Sequence, residues 1–147
     1  MKRKIKRKKR GPVISKKITI DGIKFASGLE AYMYKALKKA NIKADYEKRT
    51  FEIFHAFYFP QSSYERQSNG KGDMIDRGNK KILGIKYTPD FEGKNFIIEC
   101  KGRPNDTFPL RWKMFKKHAN IHLNNYTLYK PQRQSECDEV IKLIKNG

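Results

Sequence analysis

Hydrophobic and polar positions change period several times along this chain. Ile18-Thr19-Ile20 and Ile23-Lys24-Phe25 flank Asp21-Gly22, a pair that favours a two-residue turn, so a short hairpin is predicted. From Leu29 the period lengthens. Leu29, Met33, Ala36, Leu37 and Ala40 recur at helical spacing, which predicts a helix opened by Ser27 and stopped near Asn41. Ala44 to Phe59 is extended and aromatic, and Phe51 and Ile53 alternate with charged Glu52, as in a strand with one wet face. Gln61 to Lys81 is polar and rich in Ser and Gly, which predicts a long mobile loop. Ile82 to Thr88 then reads as a strand, Glu92-Gly93-Lys94-Asn95 as a turn and Asn95 to Lys101 as a second strand.

Helical spacing returns at Phe108, Trp112, Phe115 and Ala119, with Asp106 or Thr107 as cap and Pro109 in the first turn. Tyr126 to Tyr129 reads as a short strand. Cys137, Val140, Ile141 and Ile144 form the apolar face of a last helix, with Ser135 as its predicted cap and Asp138 at the reciprocal position. No internal repeat occurs.

Length and charge narrow the picture. A chain of 147 residues, 37% hydrophobic, suits one domain with a real core. A disordered basic arm over residues 1–16 and a single domain over 17–147 are expected, the latter interrupted by the polar loop at about 61–81. Formal net charge is +19, and removing the eight basic residues among positions 1–10 still leaves +11. A field of that size favours a polyanion, nucleic acid before an anionic membrane. The arm residues Lys2, Arg3, Lys4, Lys6, Arg7, Lys8, Lys9 and Arg10 are candidate phosphate contacts. No apolar run is long enough to span a bilayer, and no apolar stretch follows the basic start as in a secretory signal. Cys100 and Cys137 are too few for a disulfide framework or a Cys-based zinc site, so a reducing, cytoplasmic setting is expected.

The candidate chemistry lies between Tyr87 and Gly102. Side chains alternate along a strand, so Phe96, Ile98 and Cys100 should face one way and Ile97, Glu99 and Lys101 the other. A hairpin would bring Asp90 towards Glu99 and Lys101. Two carboxylates are hard donors for Mg2+, with Mn2+ able to substitute, and a metal there activates water and steadies a phosphoryl transition state. Lys101 would hold that water or neutralise developing charge. The competing reading is a surface hairpin with scattered charge. Glu30 also has two readings. It stands three residues after Ser27, as in a capping box, or it is a further carboxylate beside Asp90 and Glu99. Arg103, and Arg111, Lys113, Lys116 and Lys117 on the second helix, are candidate DNA contacts. His118 and His122 have helical zinc spacing, but the asparagines that follow end the helix there.

Three stretches carry a resemblance: Phe25-Ala26-Ser27-Gly28-Leu29-Glu30, Tyr87-Thr88-Pro89-Asp90-Phe91 and Ile97-Ile98-Glu99-Cys100-Lys101-Gly102. With the order helix, three strands, helix, strand, helix, they resemble the PD-(D/E)xK nuclease superfamily, and within it the phage endonuclease I family of Holliday-junction resolvases. The resemblance covers about residues 25–130. It implies an α/β, restriction-endonuclease-like core with a C-terminal helix. It also implies catalytic roles for Glu30, Asp90, Glu99 and Lys101. Asp90, Glu99 and the backbone carbonyl of Cys100 would be metal ligands, with Glu30 as a further candidate. The implied activity is magnesium-dependent endonucleolytic hydrolysis of branched DNA, by a homodimer whose extended segment, here Phe54 to Pro60, crosses between two lobes. The setting would be the host cytoplasm for a phage-encoded chain. Two departures stand out: the insertion at Gln61 to Lys81 and a shorter C-terminal region. The rival expectations are a restriction-like or nicking endonuclease on linear duplex DNA and a non-catalytic basic nucleic-acid-binding protein.

Overall fold

The computed structural model describes residues 15–147, so the predicted phosphate contacts from Lys2 to Arg10 lie outside the described residues. Asp21 and Gly22 both take positive φ, 52° and 78°, as a tight hairpin turn requires. They join β1 (Ile18–Ile20) to β2 (Ile23–Phe25) with Ile20 opposite Ile23. Helix α1 (Gly28–Lys39) follows and buries Ala31, Met33 and Leu37, close to the predicted stripe. Ser27 caps it, and Asn41, at φ 54°, closes it beyond Ala40.

The aromatic run divides, where one strand or a strand plus an extended bridge was expected. β3 (Asp45–Tyr46) joins the central sheet, while β4 (Phe51–Phe54) and β5 (Phe57–Phe59) leave it. β6 (Tyr64–Glu65), β7 (Ile75–Asp76), β8 (Lys80–Ile82) and β9 (Ile85–Tyr87) return antiparallel. Phe51 pairs with Tyr87, Phe57 with Ile82, Phe59 with Lys80 and Tyr64 with Asp76. The result is a two-stranded ribbon closed at its tip by Gln67 to Lys71, where Gly70 N donates to Gln67 O at 2.8 Å. The predicted loop at 61–81 is therefore the outer part of this ribbon. Its polar side chains occur on both faces, so no period-two signal marks it in the sequence.

A second correction concerns the central hairpin. β9 pairs with β4, not with the following strand. The chain turns at Pro89-Asp90, and the hairpin proper is β10 (Phe91–Glu92) with β11 (Phe96–Ile98). Pro89 is fully buried and has no N–H to offer a ladder, which suits a corner between sheets. In the turn, Gly93 lies against the Phe96 ring, and an added Cβ would come within 2.2 Å of it.

Helix α2 (Phe108–His122), β12 (Thr127–Tyr129) and α3 (Gln134–Asn146) complete the fold. The central sheet has the order β12-β11-β10-β3, with β12 parallel to β11. Its two faces carry two cores, and the predicted alternation explains them. Phe96, Ile98 and Cys100 pack with Phe25, Met33, Leu37, Cys137 and Val140 on the α1 and α3 side. Ile97 packs with Trp112, Phe115 and Ala119 on the α2 side, where Phe51 and Tyr87 join it. The molecule is thus mixed α/β, with helices on both faces of its central sheet. Phe91 and Phe115 are completely buried, and truncating either to alanine should cost about 3–5 kcal/mol.

Two caps differ from expectation. At α2 the N-cap Thr107 makes no side-chain cap bond, and Asn105 Oδ1 accepts from Phe108 N at 2.9 Å instead. At α3 the N-cap is Arg133, and Glu136 reaches back to accept from Gln132 N at 2.6 Å. Ser135 lies inside the helix, and Asp138 accepts from the Tyr32 hydroxyl.

Candidate active site

The corner at Pro89-Asp90 and the end of β11 place their polar side chains in one cleft of about 430 Å³. Asp90, Glu99, Lys101 and Glu30 all line it. Asp90 arrives from the turn into β10. Glu99 and Lys101 extend β11, held beside the next strand by Glu99 N donating to Tyr129 O at 2.9 Å and Lys101 N to Pro131 O at 3.0 Å. Glu30 comes from the first turn of α1.

Hydrogen bonds fix two of these carboxylates relative to one another. Cys100 N donates to Asp90 Oδ2 at 2.7 Å, tying the corner to β11. The Tyr87 hydroxyl donates to Glu99 Oε2 at 2.6 Å from inside the α2-side core. Burial pushes the Asp90 carboxyl up to about 8, with the charges of Glu99 and Glu30 acting in the same direction. Burial also raises Glu99, against the opposing pull of the Tyr87 hydroxyl and Lys101. Crowded carboxylates of this kind are under electrostatic stress that a nearby cation relieves.

Glu30 is engaged more fully. Its Oε1 accepts from Ser27 Oγ at 2.8 Å, and its Oε2 accepts from the Tyr46 hydroxyl at 2.6 Å and Ala26 N at 3.1 Å. Ser27 Oγ in turn accepts from Glu30 N at 3.2 Å. The capping arrangement is therefore present, and the same residue lines the cleft. Among the described residues, no three His, Cys, Asp or Glu side chains converge closely enough to enclose an ion. The donor chemistry still fits a hard cation: two carboxylates share one cleft, and Asp90 Oδ1 takes no hydrogen bond from the described residues and is not sealed from solvent. Those two carboxylates would hold it. The Cys100 side chain is on the opposite face, buried against Cys137, with its thiol pushed up by their hydrogen bond.

A family described as "Protein of unknown function (DUF1064)" matches residues 10–136. The chain belongs to that family. Comparisons with curated proteins and with solved structures gave no match. The DUF1064 match spans every residue of the cleft.

Of the predicted DNA contacts, Arg111 lines the cleft. Lys113, Lys116 and Lys117 are exposed on α2 outside it, with Lys116 Nζ 6.0 Å from the Trp112 ring centre. Arg103 is exposed on the preceding loop. Tyr46, Lys86, Tyr87, Asn105 and Phe108 were not among the predicted site residues, and all bear on this site. Tyr87 and Lys86 precede Thr88-Pro89-Asp90 directly, and that adjacency was the available signal. Phe108 is a floor for cations, with Lys101 Nζ 4.8 Å and Lys130 Nζ 5.9 Å from its ring centre, a favourable arrangement. Arg49 also went unnoticed. It pairs with buried Glu92 and lies over the Phe51 ring at 4.9 Å, clamping the base of the ribbon to the sheet.

Proposed function

We propose that this chain is a metal-dependent endodeoxyribonuclease acting on branched DNA. The observation that carries this reading is the meeting of Asp90, Glu99 and Lys101 in one cleft whose wall also bears Lys86 and Arg111. The order of α1, β3, β10, β11, α2 and β12 supports a PD-(D/E)xK core around that cleft. Positive formal charge over the whole sequence supports a polyanionic substrate.

In this reading Asp90 and Glu99 would hold magnesium, with the Cys100 carbonyl as a further donor. Bound there, a divalent metal would supply Lewis-acid polarisation of the scissile phosphate and a lowered pKa for the attacking water. Lys101, steadied over Phe108, meets the phosphate or the water and offsets charge as the pentacovalent phosphorus forms. Water attacks in line, its oxygen bonds to phosphorus, and the opposite P–O bond breaks to release a sugar hydroxyl. Lys86 and Arg111 bind the flanking phosphates. Tyr87 keeps Glu99 turned towards the cleft.

A two-fold dimer suits a four-way junction, which is itself two-fold symmetric. The ribbon supports a dimer. Phe54, Phe57, Ile82 and Ile85 face one side through the pairs Phe54–Ile85 and Phe57–Ile82, and neither core covers them. Residues 51–87 carry six basic and four acidic side chains in a chain of net charge +19, so two ribbons would meet with little net repulsion.

One experiment tests the activity. Purified protein with magnesium is offered a labelled four-way junction, a matched linear duplex and a single strand. Preferential cutting of the junction is expected. Equal cutting of linear duplex would assign a restriction-like or nicking enzyme, and binding without cutting under every metal tried would assign a non-catalytic binding protein.

A further inference from the structure

A second hollow lies away from the cleft. It is a groove of about 480 Å³ between α1 and α3, sharing no lining residue with the cleft. Its floor is apolar: Ala36 of α1 and Ala40 at its C-cap, one helical turn apart, leave a depression that Ile141 of α3 faces. Four lysines, Lys35, Lys39, Lys142 and Lys145, ring it. All four are exposed, and none takes part in a salt bridge among the described residues. The one carboxylate at the rim, Asp138, already accepts from the Tyr32 hydroxyl through both oxygens, at 2.9 and 3.0 Å.

We propose that this groove docks an acidic peptide segment of another protein, seated by an apolar side chain. The two halves of the chemistry select the occupant together. A ring of exposed ammonium groups calls for anionic charge, since each lysine beside a carboxylate gains attraction that it lacks in the free protein. A floor of alanine and isoleucine calls for a buried hydrocarbon group. Duplex DNA supplies the charge, but its exposed backbone has no apolar side chain to seat. An apolar side chain flanked by aspartates or glutamates supplies both. Because the groove and the cleft share no residue, such a partner can be held while the cleft is occupied.

The test is fluorescence anisotropy with two labelled peptides: an aspartate-rich peptide with a Leu-Phe anchor, and the same peptide with serines replacing the anchor. The anchored peptide is expected to bind about tenfold tighter or better. Ala36→Leu, which fills the floor and leaves every charge in place, should weaken it by a similar factor. Lys39→Gln with Lys142→Gln, at exposed positions, should do the same without lowering the melting temperature. Both variants should bind a four-way junction within about twofold of the parent, and a short duplex should not displace the anchored peptide at stoichiometric concentration. Equal binding of the two peptides would overturn the proposal, as would anchored-peptide binding indifferent to Ala36→Leu in a protein that still melts normally. Efficient displacement by duplex would assign the groove to DNA instead.

Discussion

The Tyr87 hydroxyl donates to Glu99 Oε2 at 2.6 Å, so the last residue of the ribbon holds a carboxylate of the central sheet. Tyr87 is buried against Phe115, 4.6 Å between ring centres, which leaves its hydroxyl few alternatives. Tyr87→Phe keeps the ring and removes the bond. Losing a hydrogen bond to a charged group costs about 1.5–3 kcal/mol, and here the loss should fall on the orientation of Glu99. We expect at least a tenfold drop in cleavage and a higher magnesium requirement. Junction binding should be unchanged. A variant with normal magnesium half-saturation would remove Tyr87 from the positioning role.

Asp90 gives a pH-dependent signature. Its carboxyl is pushed up to about 8 in the fold, against an ordinary value near 4. The folded state therefore holds a proton that the unfolded chain has already released, and stability falls as pH rises from about 4 to about 8. A neutral amide in its place carries no such penalty. Without divalent metal, Asp90→Asn should be more stable than the parent at pH 8, on the order of 2 kcal/mol after allowing for relaxation. The difference should vanish below about pH 4. Magnesium should raise the parent melting temperature at pH 8 and leave Asp90→Asn nearly unmoved. Paired thermal melts across pH, with and without magnesium, check all three statements.

How much of this was legible in the sequence depended on the range of the causes. Helix α1 and the β1–β2 hairpin follow from local periodicity and turn chemistry, and both appear where expected. The alternation along β11 correctly separated Phe96, Ile98 and Cys100 from Ile97, because a strand between two helical layers obeys period two. Pairing partners were not legible. Nothing local distinguishes Ile85–Tyr87 pairing with Phe51–Phe54 from its pairing with Phe96–Ile98, and the buried corner at Pro89 decides it. The outer ribbon was hidden for another reason: Tyr64, Ile75, Asp76 and Lys80 offer no one-sided apolar pattern. In the cleft, the carboxylates and Lys101 stood out by type and spacing. Tyr46 and Tyr87 did not, because a tyrosine in an aromatic strand is ordinarily core, and only tertiary contact shows a hydroxyl meeting a carboxylate.

The ribbon provides a separable test of substrate selection. Phe59 and Lys80 lie directly opposite one another, so residues 60–79 can be replaced by Asn-Gly, a favoured two-residue turn. No residue of that span belongs to either core, and the melting temperature should change by only a few degrees. The near-extended run through β4, β5 and β6, Phe51 to Glu65, reaches at most roughly 45 Å at 3.3 Å per residue. In the proposed function, reach of that order would serve neighbouring arms of a branched substrate rather than a single phosphate. Junction binding should weaken about tenfold, while binding of short linear duplex should change little. An equal loss on both substrates would make the ribbon a general DNA contact.

Glu30 separates capping from chemistry. The structure shows its carboxylate engaged by Ser27, Tyr46 and the Ala26 amide, and also lining the cleft beside Asp90 and Glu99. A cap alone would make its loss a matter of stability, typically ~1 kcal/mol. A carboxylate that shapes the field at Asp90 would make its loss a matter of rate. Glu30→Gln distinguishes the two, since glutamine keeps one acceptor oxygen for Tyr46 and the Ala26 amide and can turn its NH2 to Ser27 Oγ, but carries no charge. Glu30 is one of the groups that raise Asp90, so neutralising it should lower the Asp90 value and make that carboxylate easier to ionise. The expected result is near-normal melting, a severe loss of cleavage and a pH–rate profile shifted to lower pH in whatever activity remains. Tyr46→Phe is the companion change. It removes the strongest donor to Glu30 while leaving the charge, and it should reduce cleavage less than Glu30→Gln does. Full activity in Glu30→Gln would confine this residue to the helix cap and leave Asp90, Glu99 and Lys101 as the proposed catalytic set.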